Sequence, residues 1–331
     1  MQVRILDLDG SLLLQPQLVA RCQPRIFPAR EWGPSIRLAC RFGRFRLFER
    51  DLAALFGDTK EKQPAVTFSG SGDFHHVSLA LVRRLATPVN LLVLDNHPDW
   101  MRGVPFVHCG TWLYHAARLP TVKRTFHVGG DVDFDNYYGW MAPWRLLRSG
   151  KILVFPAIRR FRRGPWAAIP HEPVHPLPDA RRGRDQIEEL LRPFRTELAS
   201  LPLYISLDKD VLWEKEAIVN WDSGHLSLAE VCDLLQVFVD AARGNVAGVD
   251  IVGDWSPVRL RGWLRHLMHW TEHPILRIDA TDAAQRNEQT NLALLQTIRT
   301  PVGRPCRDCG PHPHHSSIAR SRSANPLFRR P

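Results

Sequence analysis

Long apolar runs are missing from this sequence of 331 residues. No segment approaches the roughly 18 consecutive apolar residues that a membrane-spanning helix needs, so no membrane protein is predicted. Two acidic residues, Asp7 and Asp9, stand where a secretion signal would have its apolar stretch, which favours a cytoplasmic location. No internal repeat is evident, and the 44% of hydrophobic residues is enough for the core of a globular protein.

Cysteine is also scarce. The six cysteines show no framework spacing, and a chain of this length needs no disulfide staples, so reduced thiols are predicted. The formal charge of +10 comes mainly from arginines at 159–163, at 181–184 and near the end of the chain. Because no basic helix, zinc finger or aromatic-rich strand accompanies them, nucleic acid is not the predicted partner. We expect a small-molecule substrate and leave a homo-oligomer open.

Short runs rich in Val, Ile and Leu alternate with helical patterns along the chain. The runs are bounded by Gly, Pro or Asp, as is typical of buried strands. Strands are predicted at 3–8, 65–69, 91–94, 125–128, 152–155, 203–207 and 246–252, and helices at 75–85, 185–201 and 227–242. This alternation predicts an α/β fold, with one three-layer αβα domain built on a mainly parallel sheet and spanning residues 1–300. Residues 301–331 lack an apolar period and are predicted to form a basic, disordered tail.

Two of the buried strands are predicted to run directly into acidic residues. Asp95, His97 and Asp99 follow the strand at 91–94, and Asp208 and Asp210 follow the strand at 203–207. In extended chain, positions i, i+2 and i+4 point to the same side, so each set can converge on a cation. Four acids at one sheet edge repel strongly unless metal ions neutralise them, so the two sets together predict a dinuclear site. Either set alone would be explained equally well by acidic residues that cap the loop after a strand.

A histidine is predicted to complete this site. After the strand at 65–69, glycines lead to His75 and His76 and then into a helix. Either histidine can be the ligand, although a ligand at His75 leaves Val77 and Leu79 in the apolar register expected of the helix. The predicted metal ligands are therefore His75 or His76, together with Asp95, His97, Asp99, Asp208 and Asp210.

These segments resemble the metal-binding motifs of the arginase, agmatinase and formiminoglutamase superfamily. The family motifs are Gly-Gly-Asp-His, Asp-x-His-x-Asp and Ser-x-Asp-x-Asp, and here they read Gly72-Asp-Phe-His75, Asp95-Asn-His-Pro-Asp99 and Ser206-Leu-Asp-Lys-Asp210. The resemblance covers roughly residues 65–257, whereas residues 1–60 match little. It implies the arginase-like fold and two Mn²⁺ ions per chain, with a bridging hydroxide as the nucleophile. Oxygen-rich ligation with one or two imidazoles also suits Mn²⁺ better than Zn²⁺.

Three residues are candidates for catalysis: Asp99, which is also a predicted ligand, His108 and Asp254. His108 lies in a segment similar to a family His-Gly-Thr turn, and its imidazole could pass a proton to a leaving amine. A core histidine explains it nearly as well. Relatives that act on guanidino substrates have a Glu where this sequence has Gly253, and Asp254 falls on the opposite side of a strand. The resemblance therefore implies a binuclear hydrolase of a C–N bond in an amidino or amide compound, other than an arginase or agmatinase.

Two alternatives stay open. The segment with Asp7 and Asp9 resembles the phosphatase motif of haloacid-dehalogenase-like proteins, in which the first Asp accepts a phosphoryl group beside Mg²⁺. An edge strand that ends in an Asp-Gly turn explains the same residues. The second alternative is a non-catalytic binding protein in which the metal ions serve only as a structural staple.

Overall fold

The computed structural model of the protein describes residues 1–57, 63–102, 105–130, 141–157, 174–178, 183–273 and 278–300. The tail predicted at 301–331, the arginine-rich segment 159–163 and part of the segment 181–184 lie outside the described residues. None of the helices that the structure describes combines the length and the apolar character needed to cross a membrane.

A sheet of eight strands, all paired in parallel, forms the centre of the described structure. In chain order, the strands are β1 (Gln2–Asp7), β2 (Arg25–Pro28), β3 (Ala39–Cys40), β4 (Ala65–Phe68), β5 (Val89–Leu94), β6 (Val107–His108), β7 (Val122–Val128), β8 (Ile152–Phe155), β9 (Leu203–Asp208) and β10 (Val246–Val252). The order across the sheet is β2-β1-β4-β10-β9-β5-β7-β8, while β3 and β6 form a separate antiparallel pair. The seven predicted strands all belong to this sheet.

Helices cover both faces of the sheet. They are α1 (Pro16–Cys22), α2 (Gly33–Ile36), α3 (Phe42–Phe56), α4 (Val77–Arg83), α5 (Trp112–Ala117), α6 (Trp144–Arg148), α7 (Arg184–Leu191), α8 (Arg195–Ser200), α9 (Leu228–Ala241), α10 (Trp263–Glu272) and α11 (Ala280–Arg299). Along β5, Leu92 and Leu94 pack into one core with α9 and α11, whereas Leu91 and Val93 pack into a second core with α3 and α4. The predicted three-layer αβα architecture is therefore confirmed.

The two N-terminal strands β1 and β2 belong to the same sheet. The strand β1 pairs with β4 on one side and with β2 on the other, so it is an interior strand, and the expectation of an edge strand at 3–8 is wrong. The edge is β2, whose four residues include Pro28 and show no apolar run that would predict a strand. Proline is tolerated there because an edge strand has one side free of ladder hydrogen bonds.

The strands β4, β10, β9 and β5 are neighbours in the middle of the sheet. Both β5 and β9 are buried along their whole length, as expected of parallel strands covered on both faces. All four strands end at the same edge, where parallel α/β sheets bind their ligands. The turns that follow them carry the predicted metal ligands.

Candidate metal centre

The first group of candidate ligands surrounds one nitrogen of His75. Its Nδ1 atom lies 3.2 Å from Asp95 Oδ2, 3.0 Å from Asp99 Oδ2 and 3.5 Å from Asp208 Oδ2. All four side chains are buried. Two donors that bind one cation at about 2.0–2.3 Å and at right angles are separated by about 3 Å, so this spacing suits a shared ion.

The second group of candidate ligands shares Asp95 with the first. His97 Nδ1 lies 2.7 Å from Asp210 Oδ2 and 3.9 Å from Asp95 Oδ1. The histidine is partly exposed, while both carboxylates are buried. His75, Asp95 and Asp99 can thus hold one cation, and Asp95, His97 and Asp210 can hold another. A carboxylate common to both groups is the arrangement expected of a dinuclear centre.

The side chains of the segment 95–99 do not converge through strand geometry. The predicted alternation of positions i, i+2 and i+4 is wrong here. The strand β5 ends at Leu94, and Asp99 has a φ of 46°, in the left-handed region that few residues other than glycine adopt. Asp99 Oδ2 accepts a hydrogen bond from Trp112 Nε1 at 2.8 Å, and the Asp99 carbonyl accepts one from the Leu113 amide at 3.0 Å. These contacts with α5 hold the carboxylate beside His75 in an unusual backbone conformation.

A chain of hydrogen bonds fixes the orientation of the His75 ring. Its Nε2 atom lies 3.0 Å from Ser206 Oγ, and the Ser206 hydroxyl donates to Asp250 Oδ1 at 2.8 Å. Ser78 Oγ donates to the same Asp250 oxygen at 2.6 Å. Because the Ser206 proton is used toward Asp250, Ser206 accepts from His75 Nε2–H. In a neutral ring, Nδ1 is then free of a proton and directs its lone pair at the carboxylates, as a metal ligand must.

The other carboxylates are held by main-chain amides. Asp208 Oδ1 accepts from the Asp210 amide at 3.1 Å, and Asp210 Oδ1 accepts from the Asn96 amide at 3.0 Å. Asp95 Oδ1 accepts from the His97 amide at 2.7 Å. In each case the second oxygen remains directed into the cluster. Asp95 Oδ2 is buried and makes no well-aligned hydrogen bond within the described residues, which leaves it available to a cation.

The cluster retains protons when no cation neutralises it. Burial, followed by the charge of Asp95, raises the pKa of Asp99 to about 7. Burial and Asp210 raise the pKa of Asp208, and burial and Asp95 raise that of Asp210. Burial opposes charge on His97, but Asp210 outweighs it and raises the histidine pKa to about 10. The residues therefore fit a pair of divalent cations, which would replace these protons.

Metal affinity should consequently rise with pH. Cations and protons compete for the raised groups, so each proton displaced per ion makes the apparent affinity about tenfold tighter per pH unit. We expect a Mn²⁺ titration followed by calorimetry to show this rise from about pH 6 to 8, with proton uptake by the buffer. Binding that neither depends on pH nor releases protons would contradict the protonated cluster.

Three predicted site residues, His76, His108 and Asp254, lie outside both ligand groups. His76 packs near Phe45, with ring centroids 6.0 Å apart, whereas His75 lies beside Asp95 and Asp99, so His75 is the histidine that joins the cluster. Burial lowers the pKa of His76 to about 3. His108 Nδ1 accepts a hydrogen bond from the Gly110 amide at 2.8 Å, and His108 thereby caps the turn at Cys109–Thr111. The amide of Met101, two residues after Asp99, donates to the Gly110 carbonyl at 2.9 Å, so this turn packs against the ligand segment.

Asp254 forms a buried ion pair rather than joining the cluster. Its Oδ1 atom lies 3.0 Å from Lys209 Nζ and accepts hydrogen bonds from Gln15 Nε2 at 2.5 Å and from Asn291 Nδ2 at 3.2 Å. Gly253, just before it, has a φ of 95°, and a Cβ atom there would lie 2.6 Å from Asp208 Oδ1. The glycine is required because the chain passes directly behind a candidate ligand.

Asp7 and Asp9 have structural partners. Asp7 Oδ2 accepts from Arg30 Nε at 2.6 Å, while Asp9 Oδ2 accepts from the Ser71 amide at 3.1 Å and from Ser256 Oγ at 2.7 Å. Asp9 thereby ties the end of β1 to the turns that follow β4 and β10. These bonds give both aspartates a structural role at the end of β1.

A buried network beside the cluster was not predicted from the sequence. Arg37 Nε lies 2.5 Å from Asp73 Oδ2, and Asp73 Oδ1 accepts from Trp221 Nε1 at 3.0 Å and lies 2.7 Å from His273 Nε2. The Trp221 ring lies 5.4 Å from that of His97. The Gly-Asp-x-His motif is the one sequence signal that places Asp73 near the site. Its partners lie 36, 148 and 200 residues away, and no local pattern signals them.

Sequence comparisons with known proteins give one partial match. No protein-family model matches the sequence. A protein of Thermotoga maritima described as uncharacterized is 26% identical over 193 residues, which is 58% of this chain and 59% of that protein. The chain thus matches about three-fifths of the length of this curated relative.

Solved structures of low sequence identity share the architecture. Arginase from Bacillus caldovelox is 15% identical, with a TM-score of 0.53, over 91% of this chain and 99% of its own. Formimidoylglutamase from Bacillus subtilis is 14% identical, with a TM-score of 0.51, over 91% of this chain and 87% of its own. Arginase from Bacillus subtilis is 14% identical, with a TM-score of 0.51, over 89% and 98%. The protein therefore has the arginase-like α/β fold, in a sequence that diverges widely from these enzymes.

Proposed function

We propose that this protein is a divergent member of the arginase superfamily, a binuclear metallohydrolase that cleaves a C–N bond in a small amidino or amide compound. The observation that carries the proposal is the pair of ligand groups that share Asp95 at the carboxyl edge of the sheet. We further propose Mn²⁺ as the metal, because carboxylates outnumber imidazoles among the ligands. A cytoplasmic location remains our expectation.

The candidate ligands would hold two cations in distinct surroundings. His75, Asp95 and Asp99 would hold the first, with Asp208 beside them, and His97, Asp95 and Asp210 would hold the second. Two bound divalent cations supply Lewis acidity and lower the pKa of water enough for it to act as a nucleophile at neutral pH. The protein's own contribution is orientation, since the bonds from Ser206, Trp112 and main-chain amides fix the ligands before any cation arrives.

The substrate we propose is not a free guanidinium cation. No side chain is present at Gly253, where guanidino hydrolases have a carboxylate, and the charge of Asp254 is already matched by Lys209. A guanidinium would lose a charge-assisted partner, which typically lowers affinity by about a thousandfold. Arginine and agmatine should therefore be poor substrates, whereas amide-type compounds without that cation lose nothing.

Metal analysis combined with a release assay tests this function. Purified protein should contain two Mn²⁺ ions per chain after incubation with the metal, and it should release ammonia or urea from members of a panel of amides and amidino compounds. Protein that binds no divalent cation would refute the proposal. Metal binding that raises the unfolding temperature without turnover of any panel member would favour the structural staple. Saturable hydrolysis of millimolar arginine, lost in Asp254→Asn, would refute the inference about the substrate.

The predicted proton transfer by His108 can be separated from its capping bond. His108 Nδ1 is an acceptor, so a neutral ring carries its proton on Nε2, and transfer to a leaving amine would occur at that atom. Asparagine also accepts a capping bond, so His108→Asn should fold normally while kcat falls by about a hundredfold or more. Steady-state rates and thermal unfolding of this variant test the point. An unchanged kcat would make His108 a structural cap only.

A further inference from the structure

A second polar site lies on the surface formed by the segment 33–41 and the start of α10. A pocket of about 340 Å³ is lined there by Ser35, Cys40, Arg41, Arg44, Arg261 and Arg265. Its volume is at the lower end of the range of small-ligand sites, about 300–1,000 Å³. Four of its six lining residues are arginines, and none of them belongs to the metal centre.

Two of these arginines are held in place by neutral partners. Arg265 Nη1 donates to the carbonyls of Ser35 at 2.6 Å and Ala39 at 3.2 Å. Arg44 Nη2 donates to Ser35 Oγ at 3.1 Å, and the Arg44 guanidinium stacks over the Trp32 ring at 4.3 Å. These contacts orient both guanidinium groups without neutralising them.

The positive charge of the four arginines is not matched by ion pairs with carboxylates of the described residues. No carboxylate there forms an ion pair with any of the four arginines. Burial raises the pKa of the Cys40 thiol to about 12, so the thiol stays neutral. Burial, with added repulsion from Arg44 and Arg261, lowers the pKa of Arg265. The pocket therefore concentrates like charges that a bound anion would relieve.

Donors remain available to such an anion. Arg265 Nε is buried and has no hydrogen-bond partner within the part of the chain that the structure describes. The side chains of Arg41 and Arg261 are exposed at the rim. Guanidinium groups offer paired N–H donors in a plane, which match the oxygens of a phosphate group.

We propose that this four-arginine pocket binds a phosphate monoester group. Two negative charges on one small group suit several converging guanidinium groups better than a single carboxylate does. The group can belong to a soluble metabolite or to an anionic lipid. Beside the pocket, Trp263, Leu267 and Trp270 are exposed at helical spacing on α10, where they would enter a membrane surface if the source were a lipid.

Binding of two probes to the full-length protein tests the pocket and distinguishes these sources. Inorganic phosphate is titrated calorimetrically, and vesicles of phosphatidylcholine with and without phosphatidic acid are tested by sedimentation. Arg44→Gln and Arg261→Gln should each weaken phosphate binding by about tenfold or more, as expected for loss of charge-assisted hydrogen bonds. Arg46→Gln, an exposed arginine of the same helix outside the pocket, is the control with matched charge.

Each outcome decides the proposal. Phosphate binding that the two pocket variants weaken and Arg46→Gln preserves supports a soluble ligand. Binding only to phosphatidic acid vesicles, weakened by the same variants and by Trp270→Ala, supports a lipid headgroup. Absence of binding to both probes overturns the proposal, as does equal weakening by the control. Among the described residues, the Arg261 side chain forms no hydrogen bond, ion pair or ring contact, so Arg261→Gln keeps the test valid if Arg44→Gln unfolds.

Discussion

Asp95→Asn should abolish both metal binding and hydrolysis, because Asp95 belongs to both ligand groups. An amide keeps the shape of the side chain but removes the charge that two cations would share. Metal content should fall below one ion per chain, and kcat/KM should drop by at least about a thousandfold, since metal catalysis contributes several kcal/mol. Atomic absorption and the assay for released ammonia or urea measure the two effects independently.

Two comparison variants separate loss of ligation from loss of folding. Burial and Asp210 raise the pKa of Asp208, so the metal-free Asp208→Asn protein should be at least as stable as the metal-free parent while it loses metal. Asp7→Asn alters a buried carboxylate that pairs with Arg30, and it should leave metal content and hydrolysis nearly intact. Full metal occupancy in Asp95→Asn would contradict the shared ligand, and a phosphatase activity lost in Asp7→Asn would restore the phosphatase alternative.

The sequence was sufficient to predict seven of the eight strands of the sheet and to place five candidate ligands at one edge. The strands before Asp95 and Asp208 are continuous apolar runs, and a run that ends in acids at regular spacing carries a strong signal of both structure and chemistry. Parallel strands share one edge, so the two acidic segments had to approach each other once the α/β alternation was recognised. Their convergence followed from topology and needed no side-chain coordinates.

The rest of the site depends on contacts that are distant in sequence. The choice between His75 and His76 follows from a short turn whose direction is set by packing, with His75 bonded to Ser206 across 131 residues. Asp99 reaches His75 through a left-handed backbone conformation that spacing does not reveal. Asp9 lies in the segment that resembles a phosphatase motif, while its structural partner Ser256 lies 247 residues away, where no local pattern signals it. Tertiary contacts, which local patterns do not encode, decide all three cases.

Gly253 has a similar dependence on distant contacts, and Gly253→Ala should be strongly destabilising. Its φ of 95° is strained for any residue with a Cβ, and the new atom would lie 2.6 Å from Asp208 Oδ1 and 2.7 Å from the Lys209 amide nitrogen. Backbone strain costs about 1–3 kcal/mol and forced overpacking a further 1–3 kcal/mol, so the free energy of unfolding should fall by about 2–6 kcal/mol. Displacement of Asp208 should also weaken metal binding. A Glu at this position would meet the same obstacle, so Gly253→Glu should not confer arginine hydrolysis.

Substitutions at two other glycines distinguish the backbone strain at Gly253 from the steric clash of the new Cβ atom with Asp208. Gly150 has a φ of 65° with open space around its Cβ position, so Gly150→Ala should show the strain alone, about 1–3 kcal/mol, with unchanged metal content. Gly43 lies in α3 with no atom within 4 Å of its Cβ position, so Gly43→Ala should be neutral or stabilising by up to about 1 kcal/mol. Urea unfolding with and without Mn²⁺ measures all three variants. Gly253→Ala could instead be no more destabilising than Gly150→Ala and bind metal normally. The chain would then not pass so close to Asp208, and the absence of a carboxylate at position 253 would need another explanation.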